Sequence, residues 1–178
     1  MIPEQANFFP WCSDKFAKHL HEYVGKPNLK FLEIGSYAGS SAVGMLETIL
    51  TDKSSTLTCV DICFNPFAEK IFDRETARFG DQVIKQVAWS KEWLENNQDK
   101  EFDFIYIDGD HSAKAVKNDV ELSWNILKQG GILALDDYLY EHTRGKEFNP
   151  KQVIDEFIKS VKDTFEILEI SGQVWIKK

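Results

Sequence analysis

The stretch that decides the fold is Phe31-Leu32-Glu33-Ile34-Gly35-Ser36-Tyr37-Ala38-Gly39-Ser40-Ser41. An apolar run ends in a glycine-bearing turn, and a helical pattern opens straight after it with Ala42, Val43, Met45, Leu46, Ile49 and Leu50 on one face. Strand, turn and helix make the first βα unit of a nucleotide-binding sheet. Glycine lacks a Cβ and takes φ > 0 freely, so the backbone of such a turn can lie against a ligand. The unpaired amides at the helix start point at the same place. A dinucleotide fingerprint would read G-x-G-x-x-G. Here the glycines are Gly35 and Gly39, Tyr37 holds the middle place, and Glu33 lies in the strand two residues before Gly35. Taken alone, the turn is equally well an ordinary tight connection, so the rest of the chain has to decide.

Working outward, the pattern predicts a helix from Ser13 or Asp14 to about Val24, broken by Gly25, Pro27 and Asn28. His19 and His21 fall on or near its solvated side, and the cluster Phe8-Phe9-Pro10-Trp11 ahead of it reads as packing on the domain. Strand 1 is about 30–34, and the next helix runs to about Leu50 with Ser40 or Ser41 as its cap. Strand 2, Thr56–Val60, ends at Asp61; Asn65-Pro66 opens a helix that Gly80 closes; strand 3 is about Gln82–Val87, with a short helix from Ser90. Strand 4, Phe102–Ile107, runs into Asp108-Gly109-Asp110-His111, and Ser112 caps a helix with Ala113, Val116, Val120, Trp124 and Leu127 on its apolar face. Gly130-Gly131 ends that helix, and strand 5 is Ile132–Leu135, followed by Asp136-Asp137. After a polar and aromatic loop, Asn149-Pro150 starts a last helix, and two short strands joined by Ser171-Gly172 close the chain as a hairpin. Strands alternating with helices imply a parallel sheet covered on both faces.

At 178 residues the chain fits one α/β domain, residues 1–178, with residues 1–29 as an N-terminal helix and cover segment. The net charge of −8 and the lack of a Lys/Arg cluster argue against nucleic acid as the partner. No apolar run approaches the ~18–20 residues of a membrane span, and no signal-peptide pattern opens the chain. Cys12, Cys59 and Cys63 are odd in number and form no C-x-x-C pair. Reduced, packing thiols in a cytoplasmic protein are the expectation.

The chemistry gathers at the strand ends. The carboxylate of Asp61 can accept hydrogen bonds from ribose hydroxyls. Trp89 and Ser90, ending strand 3, suit an adenine ring, although Trp89 reads equally as core. Asp108 and Asp110 follow strand 4; Asp136 and Asp137 follow strand 5. Neighbouring strands lie ~4.8 Å apart, so these carboxylates can converge, and like charges held together raise a pKa unless a cation neutralises them. Oxygen ligands without thiolate suit Mg²⁺ or another divalent cation; the competing reading is helix caps and turn residues. His111, next to this cluster, can take a proton near neutral pH.

Together, Glu33–Gly39, Asp61, Ile107-Asp108-Gly109-Asp110-His111 and Gly130–Tyr138 occur in the order of a class I S-adenosylmethionine-dependent methyltransferase. The chain resembles the small D-G-D-H / G-G-x-x-x-x-D-D-Y family, which is similar to the metal-dependent catechol and caffeoyl-CoA O-methyltransferases. The resemblance implies a three-layer, Rossmann-like sheet of seven strands in the order 3-2-1-4-5-7-6, the last antiparallel. It implies that Glu33, Gly35, Ser36, Tyr37 and Gly39 form the S-adenosylmethionine turn, with Asp61, Trp89, Ser90 and Asp108 completing the cofactor site. Asp108, Asp136 and Asp137 fall on the metal ligands, Asp137 where that family has asparagine. His111 falls where those enzymes carry a catalytic lysine, so Asp108 and His111 are the catalytic candidates. The expected partner is a small-molecule methyl acceptor, bordered by the Tyr138–Asn149 loop with Tyr140, His142 and Arg144; a homodimer is left open. The rivals are a metal-free N- or O-methyltransferase, a non-catalytic S-adenosylmethionine-binding module, and a nicotinamide-dependent oxidoreductase, which would want glycine where Tyr37 stands.

Overall fold

The protein is described here by a computed structural model covering residues 13–63, 65–141, 143, 145, 148–161 and 164–178. The Phe8–Trp11 cluster, Cys12, His142 and Arg144 lie outside the described residues. Seven strands form one sheet: β1 (Lys30–Ile34), β2 (Thr56–Asp61), β3 (Val83–Val87), β4 (Phe102–Ile107), β5 (Leu127–Leu135), β6 (Glu166–Ile170) and β7 (Val174–Lys177). Their order is β3-β2-β1-β4-β5-β7-β6. The first five are parallel, with Leu32 beside both Thr58 and Ile105; β7 runs antiparallel to β5 and β6. The order reverses between β1 and β4, so both chains leave the sheet there in opposite directions and open a crevice at their carboxyl ends.

Alternation of side chains builds a core on each face. Leu32, Ile34, Ile105, Ile107, Leu133 and Leu135 face α4 (Ser90–Glu95), α5 (Ala113–Ile126) and α6 (Pro150–Ser160). Phe31, Phe104, Tyr106, Ile132 and Ala134 face α1 (Ser13–His19), α2 (Ser40–Thr48) and α3 (Pro66–Thr76). Six residues such as those of α4 cannot hold a helix alone; burial of Trp93 and Leu94 anchors it. Asn65 caps α3 through Phe67 N at 3.0 Å, with Pro66 at the first position. No described helix is long and apolar enough to cross a membrane.

Four expectations are corrected. The helix after β1 is capped by Gly39 rather than Ser40 or Ser41, and it ends at Thr48. Gly39 has φ +82, and a Cβ there would meet Phe72 at 2.9 Å, so only glycine lets α3 approach so closely; the Ser41 hydroxyl is drawn to Glu33 instead. The first helix stops at His19, with a separate 3-10 turn at His21–Tyr23. His19 is buried, stacked on Trp175 at 4.6 Å and bonded to Glu169 at 2.9 Å, whereas His21 is exposed. The helix after β4 ends at Ile126, and β5 begins at Leu127, which pairs with Phe102 before the register shifts. Gly130 N donates to Lys178 O at 2.7 Å, so the glycine pair lies within β5 rather than closing a helix.

Candidate active site

At the carboxyl ends of β1, β2 and β4 the chain opens a cleft of about 660 Å³, lined among others by Gly35, Tyr37, Asp61, Trp89, Ser90 and Asp108–His111. The turn after β1 is tied to both neighbouring strands. Gly35 N donates to Val60 O at 2.9 Å, and Asp108 N donates to Ile34 O at 2.8 Å. At Gly35 (φ +87) a Cβ would stand 2.0 Å from Asp108 O, so the absence of a side chain is what lets the β1 turn and the loop after β4 meet. Tyr37 takes φ +41, the left-handed conformation that a central glycine would adopt freely. Its amide is fixed by Asp61 Oδ2 at 2.9 Å, and its hydroxyl accepts from Asn65 Nδ2 at 3.0 Å. Asp61 is thereby oriented before any ligand arrives, because Oδ1 also accepts from Cys63 N at 2.7 Å.

Glu33, Ser36 and Gly39 shape the turn from behind. Glu33 is fully buried; Oε1 accepts from the Ser41 hydroxyl, and Oε2 has no partner among the described residues. Burial pushes its carboxyl up to about 7, against the pull of Ser41, Ser36 and Cys59. The Ser36 hydroxyl is likewise buried and makes no well-formed hydrogen bond among the described residues. Trp89 is 63% exposed, which removes the core reading and leaves its ring at the rim of the cleft. Cys59 is buried, as a packing thiol should be.

At the other end of the cleft, the ligand atoms of Asp108, His111 and Asp137 lie within 4.8 Å of one another. Asp137 pairs with His111 Nδ1, and that hydrogen bond raises the imidazole pKa against the effect of burial. Asp108 is pushed up to about 8, by burial first and then by the charges of Asp136 and Asp137. Asp136 lies close but is otherwise engaged. Its Oδ2 accepts from the Tyr106 hydroxyl and from Gln173 Nε2 at 3.1 Å, and its Oδ1 accepts from Asp137 N at 2.8 Å. Asp136 is thus outside the tight group of donors, and His111 is in it. Asp110 turns to the helix instead, accepting from Ser112 N at 2.8 Å.

Tyr106 and Gln173 were not legible as site residues. Tyr106 hides in an apolar strand, and Gln173 lies in a hairpin far along the chain, itself accepting from Trp175 Nε1 at 3.0 Å. Tyr140 stands against His111 with ring centroids 5.1 Å apart.

A sheet of this order, five parallel strands and an antiparallel hairpin with a glycine turn and carboxylates at its switch point, is of the doubly wound α/β class, whose ligands bind at that point. Residues 32–138 match the family described as Methyltransferase domain, and the chain belongs to that family. Over 139 residues it is 27% identical to an uncharacterized protein of Acanthamoeba polyphaga mimivirus; the match takes in 67% of this chain and 60% of that protein's length. A putative caffeoyl-CoA O-methyltransferase from Staphylococcus aureus superposes with TM-score 0.68 at 24% identity, over 93% of this chain and 81% of that one. The MycE methyltransferase of mycinamycin biosynthesis, in complex with Mg and SAH, superposes with TM-score 0.72 at 13% identity, over 97% of this chain and 51% of that one. At these identities the superpositions speak to the fold alone.

Proposed function

We propose that the chain is an S-adenosylmethionine-dependent methyltransferase acting on a hydroxyl group of a small molecule. The observation that carries this reading is one cleft holding Gly35, an Asp61 already oriented by two amides, the exposed Trp89 and, at its far end, Asp108 and His111, the latter paired with Asp137. The glycine turn and Asp61 would hold the methionine and ribose parts, and Trp89 with Ser90 the adenine. The sulfonium methyl then faces the acidic end. An acceptor oxygen attacks that methyl in line, the S–CH₃ bond breaks as the O–CH₃ bond forms, and S-adenosylhomocysteine leaves. His111 takes the hydroxyl proton on Nε2 while Asp137 holds Nδ1 and stabilises the imidazolium.

The residues present fit a divalent cation, Mg²⁺ being the first choice. Asp108 is held well above the usual carboxylate range by burial and like charges, a cost that a bound cation removes. Asp108 and Asp137, whose ligand oxygens lie within 4.8 Å of each other, would hold it, and it would supply Lewis-acid polarisation of the acceptor oxygen. A metal-free methyltransferase is the second reading, and the His111–Asp137 pair favours it, because it already orients a base without an ion.

Calorimetric titration with S-adenosylmethionine and with NAD, each with and without Mg²⁺, tests both. Micromolar binding of S-adenosylmethionine alone, lost in Asp61→Ala, is the expected result. Binding of NAD alone would overturn the cofactor reading. A hydroxylated acceptor that binds equally well with and without Mg²⁺, Mn²⁺ or Ca²⁺ would select the metal-free form. A small-molecule acceptor and a cytoplasmic, water-dissolved protein complete the proposal, with a homodimer as the assembly to test by light scattering.

A further inference from the structure

Helix α5 carries a carboxyl group that this reaction does not use. Asp119 is 1% exposed, and neither of its oxygens has a well-formed hydrogen bond among the described residues. Ser123, one turn further along the same face, is also buried with its hydroxyl unpartnered among the described residues. Hiding a carboxyl group without a well-formed hydrogen bond is far less favourable than hiding an apolar side chain of similar size. For packing alone, an aliphatic residue would serve better at this position.

The location explains what such a group can do. A Cβ built on Gly109 would lie 3.8 Å from Asp119 Oδ2, so the carboxyl group sits directly behind the β4–α5 connection. The hydroxyl of Ser90, the first residue of α4, lies near enough to favour its charged form without making a well-formed hydrogen bond, so the carboxyl group also stands near the β3–α4 connection; the Asp110 charge opposes that form. Ser90 and Gly109 both line the cleft. One buried group therefore stands behind two separate walls of the same site, at the end where Trp89 rises.

We propose that Asp119 is a positioning residue for the cofactor: from beneath the cleft it orients the Ser90 hydroxyl and the Gly109 backbone, and so sets the width of the slot that takes the adenine ring. It touches no ligand itself. This rests on the reading of the cleft as an S-adenosylmethionine site.

The test is to titrate S-adenosylhomocysteine into the wild-type protein, Asp119→Leu, Asp119→Ala, Asp119→Asn, Ser90→Ala and the double variant Asp119→Leu/Ser90→Ala, and to melt each without ligand. Asp119→Leu removes a buried carboxyl group that has no well-formed hydrogen bond, so it should melt no lower than wild type and yet bind about tenfold more weakly or worse, the scale of loss seen when outer-shell partners are removed. Asp119→Asn keeps an acceptor oxygen and should recover most of the affinity. Ser90→Ala should weaken binding but add little on top of Asp119→Leu, because both remove one linkage. Asp119→Ala gives the same affinity readout if the leucine is too large to fold. Wild-type affinity in the Leu or Ala variant, or independent, additive losses from Ser90 and Asp119, overturns the proposal. A wild-type protein that does not bind S-adenosylhomocysteine overturns the cofactor reading instead, and this inference with it.

Discussion

Replacing Glu33 by Gln should stabilise the protein, and the gain should grow with pH. Glu33 is fully buried, and its carboxyl is raised from 4.5 to about 7, chiefly by desolvation. In the unfolded chain it titrates near the lower value. Below pH 4.5 both states carry the proton and the buried position costs nothing extra. As the pH climbs towards 7, the unfolded chain releases its proton while the folded one retains it, so folding becomes progressively less favourable; above about 7 the folded protein ionises too and the loss levels off. At 1.36 kcal/mol per pKa unit, the span from 4.5 to about 7 is worth about 3 kcal/mol. For a chain of this size that is roughly 6–12 °C in melting temperature. Glutamine can still accept from Ser41, and its amide at the unpartnered Oε2 position adds an offset that does not vary with pH. The assay is urea unfolding of wild type and Glu33→Gln, ligand-free, at pH 5, 6, 7 and 8. A stability difference that stays constant across that range would refute the reasoning, whatever its size.

Other outcomes follow from the same geometry. Gly35→Ala forces a Cβ to within 2.0 Å of Asp108 O at φ +87. Left-handed strain plus overpacking should lower stability by at least about 3 kcal/mol, read by denaturant melts, and abolish S-adenosylhomocysteine binding. Asp137→Asn should lower the titration point of His111, since the Asp137 hydrogen bond is the first cause of its rise; an NMR titration that leaves the His111 curve unmoved would count against the pairing. In the wild type, stability from that pair is present below the histidine's ordinary pKa of 6.5 and fades as the pH rises through its raised value. Asp108→Asn should reduce turnover about a hundredfold or more while leaving S-adenosylhomocysteine affinity within a few-fold; loss of both together would mean that Asp108 serves the cofactor rather than the reaction.

Much of the frame was legible because its signals are local. Proline after Asn65, the glycine after Ile34 and the apolar runs of β1, β2 and β4 each constrain a few residues of backbone, and all were read within a residue or two of where they fall. The errors came where a distant contact outweighed a local preference. Ser41 has the chemistry of a cap but spends its hydroxyl on Glu33. His19 sits in a polar-looking helix, yet Trp175 and Glu169, some 150 residues away in sequence, bury it. Ile126 and Leu127 look like one continuous helix, but pairing with Phe102 turns the second into a strand.

The candidate site divides in the same way. The sequence by itself determined the glycine turn, the carboxylates at the ends of β2, β4 and β5, and a histidine beside them, because residue type and position relative to a strand end suffice for that. Which partner each carboxylate takes was decided only by the tertiary structure. Asp136 and Asp137 are neighbours in sequence, but φ +58 at Asp137 swings its side chain to His111, while Asp136 is taken by Tyr106 and Gln173. Asp119 reads in the sequence as one more charge on a helix, and the packing of α5 against the sheet turns it into a buried group behind the cleft. A hydrogen bond depends on where two side chains end up in space to within a few tenths of an ångström, and nothing in the local pattern of either partner encodes that distance.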